Sequence, residues 1–487
     1  MNDNQINRSL LLNTLWSFGG RFGYLAVGLI TNIILVRLLS PREFGQVSIV
    51  MFFIVISTIL IESGLSGALV RKQNTTETDY STVFIFNLAI SIVLMLGLLI
   101  SAQYIADFYN DNELTNLLRM SSLVLFVNAL RITQSVKLVK ALDFKAKSYY
   151  EIIAIIVGSI IAIYAAAKGA GALSLVILQL STAITLTGLL WFYVGSMKSY
   201  KFSIESFKQV YKFGINTTLA SILDKAFDNS YQLILAKYFA ISQSGYFYQA
   251  KKLQEMPIGI IQGSVLGVVY ATLSRLQDNR KKFQELYFNI VKIFTIVVGF
   301  ICIIIFYYSE LIIQILYGRE WLTSATYLQL LILASFFYLQ EIFNRILFKI
   351  FNRTDLILKL EFFKKLLLTI TIVYGIKTLS ISNLLYGFIV VSAISFFINY
   401  HYARKIYTLP YWIELNIILK VVLISTITIL FNMYIANIYE LQGVYSLFLF
   451  PIITLAYLAL LIVFKVVSVS QDLQSIKKIF KKGKSNV

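Results

Sequence analysis

Charged side chains set inside long apolar runs are the residues of this sequence best placed to do chemistry. Arg21 sits among Gly19, Gly20 and Gly23, where missing side chains permit bending and close approach. Asp224, Lys225 and Asp228 share one later run, with the two aspartates on one helical face and Lys225 within reach of Asp228. Lys251 and Lys252 follow in the next run, and Glu341, Arg345 and Lys349 form one stripe of another. Lys364 and Lys365 lie near the middle of a further run, and Glu62 and Arg131 belong to early ones. An ionisable group at the centre of a bilayer costs about 2.5–3.5 kcal/mol on insertion scales, so it normally faces a cavity or a partner.

Cations outnumber anions in this set. If they share a hollow, its field favours an anionic ligand such as a diphosphate. Arg21, Lys225, Lys251, Lys252, Arg345 and Lys364 are therefore the substrate-binding candidates. Glu62, Asp224, Asp228 and Glu341 are the ion-coupling candidates. The plainer alternatives are an internal ion pair for Lys225 and Asp228, snorkelling for Lys251 and Lys252, and an intrahelical pair for Glu341 and Arg345.

Composition narrows the chemistry further. The 487 residues are 58% hydrophobic and 14% charged, with a mean hydropathy of +0.75; soluble domains run near 45–50% apolar and 25% charged. One cysteine, Cys302, leaves no disulfide framework, and one histidine, His401, leaves no multi-histidine metal site. The tail string Gly483, Lys484, Ser485 lacks the earlier glycine of a phosphate loop, because Lys478 occupies its place. Neither a cofactor, a nucleotide site nor an enzyme activity is expected.

The elements that must carry these charges are membrane spans. Apolar runs near the roughly 20 residues needed to cross hydrocarbon begin at Leu10 and end near Val467, about fourteen in all. The first is too long for a signal-peptide core. With the N terminus inside, every second loop is basic, as at Lys137, Lys140, Lys145 and Lys147 and again at Arg275, Arg280, Lys281 and Lys282. Both termini are thus expected in the cytoplasm. The net charge of +19 is then accounted for by orientation and anionic lipid, without a nucleic-acid partner.

A repeat organises the spans. Ile34, Leu35, Val36, Arg37, Leu38, followed by Phe44 and Gly45, recurs 200 positions later as Ile234, Leu235, Ala236, Lys237, Tyr238, followed by Gly245 and Tyr246. Ile105 to Tyr109 is matched more loosely by Ile313 to Tyr317. Six spans separate the copies, so both halves face the same way, a parallel repeat. The expected architecture is all-α: an N-terminal six-helix lobe over 1–197, an amphipathic cytoplasmic linker over 198–214, a second six-helix lobe over 215–405, two trailing spans over 406–470 and a basic tail over 471–487. Leu473, Ile476, Ile479 and Phe480 form a stripe in that tail suited to the membrane surface.

Specific strings add a resemblance. Arg37, Leu38, Leu39, Ser40, Pro41, Arg42, Glu43, Phe44, Gly45, then Glu62, Ser63, Gly64, Leu65, Ser66, Gly67, Ala68, Leu69, Val70, Arg71, resemble the opening of the Wzx-type polysaccharide flippases. Within these the chain is most similar to the colanic-acid exporter branch of the multidrug/oligosaccharidyl-lipid/polysaccharide superfamily. The likeness continues at Gly245, Tyr246, Phe247, Tyr248, Gln249, Ala250 with Pro257, at Leu273 to Asp278, and at Tyr317 to Trp321; Ala271 stands where the family usually places proline.

The resemblance implies a V-shaped, two-lobed transporter of a bacterial inner membrane that flips a polyprenyl-diphosphate-linked oligosaccharide by alternating access. Its implied partners are that lipid-linked oligosaccharide, the membrane and polysaccharide assembly proteins of the same pathway, with Na+ or H+ as the coupling ion. On this reading Arg21, Lys225, Lys251 and Lys252 contact the diphosphate. A drug or cation exporter of the same superfamily, for which Asp224 and Asp228 speak, and a polysaccharide polymerase are the competing readings; the short outer loops argue against the polymerase.

Overall fold

The computed structural model describes residues 3–62, 64–407, 409–440 and 443–467, so the basic tail and its apolar stripe lie outside the described residues. The chain forms two compact units, Met1–Tyr248 and Gln249–Val487. The first contains α1 (Asp3–Leu38), α2 (Pro41–Glu62), α3 (Leu65–Arg71), α4 (Glu77–Tyr109), α5 (Glu113–Lys140), α6 (Phe144–Ala167), α7 (Leu173–Val194), α8 (Ile204–Tyr238) and the start of α9 (Ile241–Ile260). The second holds the rest of α9, a π-helical turn (Ile261–Leu266), α10 (Gly267–Ser274), α11 (Arg280–Tyr307), α12 (Ser309–Leu316), α13 (Leu322–Ile350), α14 (Thr354–Lys377), α15 (Ile381–Ile406), α16 (Tyr411–Ile438) and α17 (Phe450–Val463).

Among the described residues, 12 helical stretches are long and apolar enough to cross a membrane. This is a multi-pass membrane protein. Two of the expected spans are not among the 12. Both α8, of 35 residues, and α14, of 24 residues, are long enough to cross, but their sequences are too densely charged to pass as apolar. They are the helices that carry Asp224, Lys225 and Asp228 in one case and Glu361, Lys364 and Lys365 in the other. The membrane-spanning reading of these two therefore depends on what neutralises their charges.

The linker expected over 198–214 does not form a helix of its own. From Ile204 onward it is continuous with the seventh span, as the single helix α8. The reason is local. Ser203 caps the helix by accepting from Ser206 N, and no proline or glycine pair interrupts the turns that follow. Lys72 Nζ reaches Gln209 Oε1 at 2.9 Å and Asp79 Oδ1 at 2.8 Å, tying this end of α8 to α4.

Helix α2 starts with a capping box. Glu43 N donates to Ser40 Oγ at 3.4 Å, Ser40 N donates back to Glu43 Oε2 at 2.6 Å, and Pro41 takes the first helical position. The string Ser40, Pro41, Arg42, Glu43 is thus a helix start, and Gly45 just inside it lets another backbone approach. A Cβ on Gly45 would lie 1.9 Å from the Ile241 carbonyl oxygen, and one on Gly245 would lie 1.9 Å from that of Pro41. Residues 41 and 45 correspond to 241 and 245 in the repeat, so each copy's glycine seats the other copy's helix start. Ser48 and Ser244 share a buried hydrogen bond of 2.7 Å beside it.

Gly245→Ala should force α2 and α9 apart and lower stability by about 1–3 kcal/mol. Thermal unfolding of the detergent-solubilised protein would show this as an early transition. An unaltered midpoint would mean the backbones are not in contact.

The second unit packs around an aromatic and aliphatic core that includes Phe283, Tyr287, Phe343, Phe396 and Tyr400. Cys302 belongs to it as a buried thiol 3.8 Å from the Ile332 carbonyl oxygen.

Candidate functional site

In the second unit the helix stripe Glu341, Arg345 on α13 meets the charged face of α14. Glu341 is fully buried. Its Oε2 accepts from Lys364 Nζ at 2.8 Å, its Oε1 accepts from Arg345, and Asn399 Nδ2 of α15 donates to the same Oε1 at 3.4 Å. Arg345 also binds Glu361, and Lys365 Nζ lies 3.5 Å from Glu361 Oε1. Lys364 stands over the Tyr338 ring, 4.9 Å from its centre. Two carboxylates and three cations of α13 and α14, with Asn399 of α15, therefore form one network. The desolvation of α14's charges is met here by partners rather than by water.

A second buried network lies in the same unit. Arg404 of α15 is paired with Glu414 of α16, which also accepts from Tyr287 Oη of α11 at 2.9 Å and from Asn344 Nδ2 at 3.4 Å. The Arg404 guanidinium sits 4.5 Å from the centre of the Tyr400 ring. This network ties the first trailing helix to α11, α13 and α15.

In the first unit, Lys225 and Asp228 lie 3.6 Å apart on α8, each about half exposed. Asp224 is exposed on the same helix, and Arg21 and Glu62 are exposed on α1 and α2. Arg131 of α5 donates to Asn128 Oδ1 at 2.9 Å. It is acted on electrostatically by Glu151 of α6, Glu62 and Tyr24. On the far part of α9, Lys251 lies 3.7 Å from Glu255, whose charge also acts on the half-buried Lys252.

Of the candidates chosen from sequence, Glu341, Arg345 and Lys364 thus come together in one cluster, and Lys225 and Asp228 in another. Arg21 and Glu62 stay at exposed positions. Sequence reasoning missed Glu151, Glu255, Glu361, Arg404 and Glu414. Three of them were detectable, because Lys147 and Glu151, Lys251 and Glu255, and Glu361 and Lys365 all stand four apart on a helix. The excess of cations is correspondingly smaller than the sequence suggests.

The order of spans and the strings at their ends can now be set against known proteins. The family described as polysaccharide biosynthesis protein matches residues 34–326, more than half of the chain. The chain belongs to this family.

Similar proteins include the succinoglycan biosynthesis transport protein ExoT of Rhizobium meliloti. The two are 24% identical over 330 residues, covering 67% of this chain and 66% of the relative, just under two thirds of its length. The lipopolysaccharide biosynthesis protein WzxC of Escherichia coli is 22% identical over 391 residues, 79% of each chain. Among solved structures, lipid II flippase MurJ in an inward closed conformation superposes with a TM-score of 0.67. It covers 93% of this chain and 98% of that one at 17% identity. At that identity the likeness speaks for the fold alone.

Proposed function

We propose that this family member is a transporter, not an enzyme, and that it moves a polyprenyl-diphosphate-linked oligosaccharide from the cytoplasmic to the outer leaflet of a bacterial inner membrane. The observation that carries the proposal is the presence of basic side chains at exposed positions on helices of an otherwise apolar protein, Arg21 on α1 and Lys225 on α8 above all. A diphosphate and a sugar chain cannot cross hydrocarbon unaided, because their polar groups lose water without gaining partners. Membrane-embedded cations replace that water for the diphosphate.

The names of the relatives, a succinoglycan transport protein and a lipopolysaccharide biosynthesis protein, support a glycan cargo, and the fold of a lipid II flippase supports a lipid-linked one. Both termini are cytoplasmic in this reading, and the polysaccharide assembly proteins of the same pathway are its partners. Transport proceeds by alternating access. Its coupling is to Na+ or H+, with Glu62, Asp224 and Asp228 as the exposed acidic groups available to either ion, whereas Glu341 is enclosed by Lys364 and Arg345.

Replacing Arg21 or Lys225 with Ala tests the proposal directly. Both positions are exposed, so neither change strands a buried partner, and membrane insertion and folding should be preserved. A charge-assisted hydrogen bond to phosphate contributes about 1.5–3 kcal/mol. Each variant should therefore lose roughly tenfold or more of its transport rate for a lipid-linked oligosaccharide in reconstituted vesicles. Wild-type rates in both variants would remove these residues from the path. Export of a cationic drug, with no movement of the lipid-linked glycan, would favour the exporter for which Asp224 and Asp228 speak.

A further inference from the structure

The cluster on α13 and α14 has one closed end and one open edge. At the closed end Glu341 is wholly buried and held by Lys364, Arg345 and Asn399. At the open edge the Glu361 side chain is 24% exposed, beside Arg345 and Lys365 at 16% and 14%. Glu361 is thus the carboxylate of the pair that an outside group can reach. Its partners are the two cations best suited to hold a phosphate, a planar guanidinium and a flexible ammonium.

Two further observations point to an anionic ligand. Among the described residues, Arg345 Nε is buried without a hydrogen-bond partner. Arg345 spends the same nitrogen, Nη2, on both carboxylates, so its two-pronged donor edge is only half used.

The position of the edge indicates how such a ligand arrives. Leu356, Leu360, Lys364, Leu368 and Ile372 are the buried face of α14, whereas Leu358, Phe362 and Leu366 are its exposed apolar face. Glu361 and Lys365 lie on the flank between the two, about 10–17 Å along the helix from its start at Thr354. A lipid-borne diphosphate can lay its tail on the exposed apolar face and its head group on the flank. A free phosphate gains nothing from that face.

We propose that Glu361 is an internal stand-in for the substrate's diphosphate, an intramolecular competitor that occupies Arg345 and Lys365 until a lipid diphosphate displaces it. The inference rests on the function proposed above and adds, besides Arg21 and Lys225, a diphosphate contact on the flank of α14 together with the group that regulates access to it. Displacement lets the diphosphate take both prongs of Arg345 and the Lys365 ammonium. Glu361 then turns outward with its charge intact. Glu341 keeps Lys364 in place throughout.

Binding of farnesyl diphosphate to the full-length purified protein tests this, with farnesyl monophosphate and inorganic pyrophosphate as comparison arms. Glu361→Gln should bind farnesyl diphosphate about tenfold or more tightly than wild type, the scale of one charge-assisted bond no longer contested. Lys365→Gln should bind it about tenfold more weakly, and inorganic pyrophosphate should gain far less from Glu361→Gln than the lipid does. Lys365→Gln removes a cation from the accessible edge, so it remains informative if Glu361→Gln folds poorly.

Unaltered affinity in Glu361→Gln, or in Lys365→Gln, would overturn the proposal, and an equal gain for inorganic pyrophosphate would overturn its lipid-borne form. Wild-type transport of a lipid-linked oligosaccharide, measured alongside, separates the two levels. Transport with unaltered binding in the variants sinks only the role of Glu361, whereas absent transport sinks the function itself.

Discussion

Glu414→Ala should lower the stability of the protein by about 3–5 kcal/mol, the range for removing one partner of a buried ion pair. The side chains of Arg404 and Glu414 are 5% and 1% exposed, so the guanidinium left behind has no access to bulk water. It cannot shed its proton either, unlike a carboxyl or an ammonium in the same position. The Tyr400 and Tyr287 rings beside it recover part of the loss, about 0.5–2 kcal/mol for each aromatic face. Arg404→Ala should cost less, because the orphaned Glu414 can take up a proton and keeps Tyr287 and Asn344 as donors. Replacing both residues by Met and Leu should restore most of the stability. Unfolding monitored by denaturant or heat in detergent checks the order: Glu414→Ala lowest, Arg404→Ala next, the double variant near wild type. Equal stability of Glu414→Ala and wild type would mean that the pair is hydrated.

Glu341→Ala is the second large effect, and it bears on both stability and transport. Glu341 satisfies Lys364 and Arg345 at once and accepts from Asn399. Its removal leaves Lys364 buried against Tyr338 and leaves Arg345 with Glu361 alone. The cost should again be about 3–5 kcal/mol. Glu361→Gln, at the accessible edge of the same network, should cost far less stability while altering ligand affinity. A network that serves only packing would respond to both changes in proportion to burial and leave ligand affinity untouched. Measuring unfolding and farnesyl diphosphate binding on the same preparations separates the two outcomes.

The architecture was written in the sequence at the level of hydropathy. Long apolar runs and alternating basic loops specify a multi-pass bundle because every backbone polar group in lipid must be satisfied inside a helix. The matching strings around Gly45 and Gly245 were legible in the sequence, yet the reciprocal seating of these glycines on Ile241 and Pro41 was not, since no sequence pattern encodes a contact between distant backbones. The continuity of the linker with α8 was obscured by a change from basic to apolar composition, which alters the surroundings of a helix but not its hydrogen bonding.

The ion pairs divide along the same line. Glu341 with Arg345, and Lys225 with Asp228, follow from helical spacing, and Glu361 with Lys365 could have been found the same way. Arg404 with Glu414 spans a chain reversal through Pro410, and Lys364 with Glu341 joins two helices. Both depend on how neighbouring helices are rotated, which packing decides. Intramembrane charge alone therefore marked helices that carry ion pairs but overstated the surplus of positive charge.

Translocation of the lipid-linked glycan is most directly tested by leaflet accessibility. A polyprenyl-diphosphate-linked oligosaccharide is built into both leaflets of sealed vesicles, with and without this protein. The fraction open to an external glycan-cleaving enzyme is then followed over time, with and without a Na+ or H+ gradient. The inner-leaflet pool should become accessible in vesicles that contain the protein and stay protected in those that lack it. A pool that remains equally protected in both, under either gradient, would contradict the function assigned to this chain.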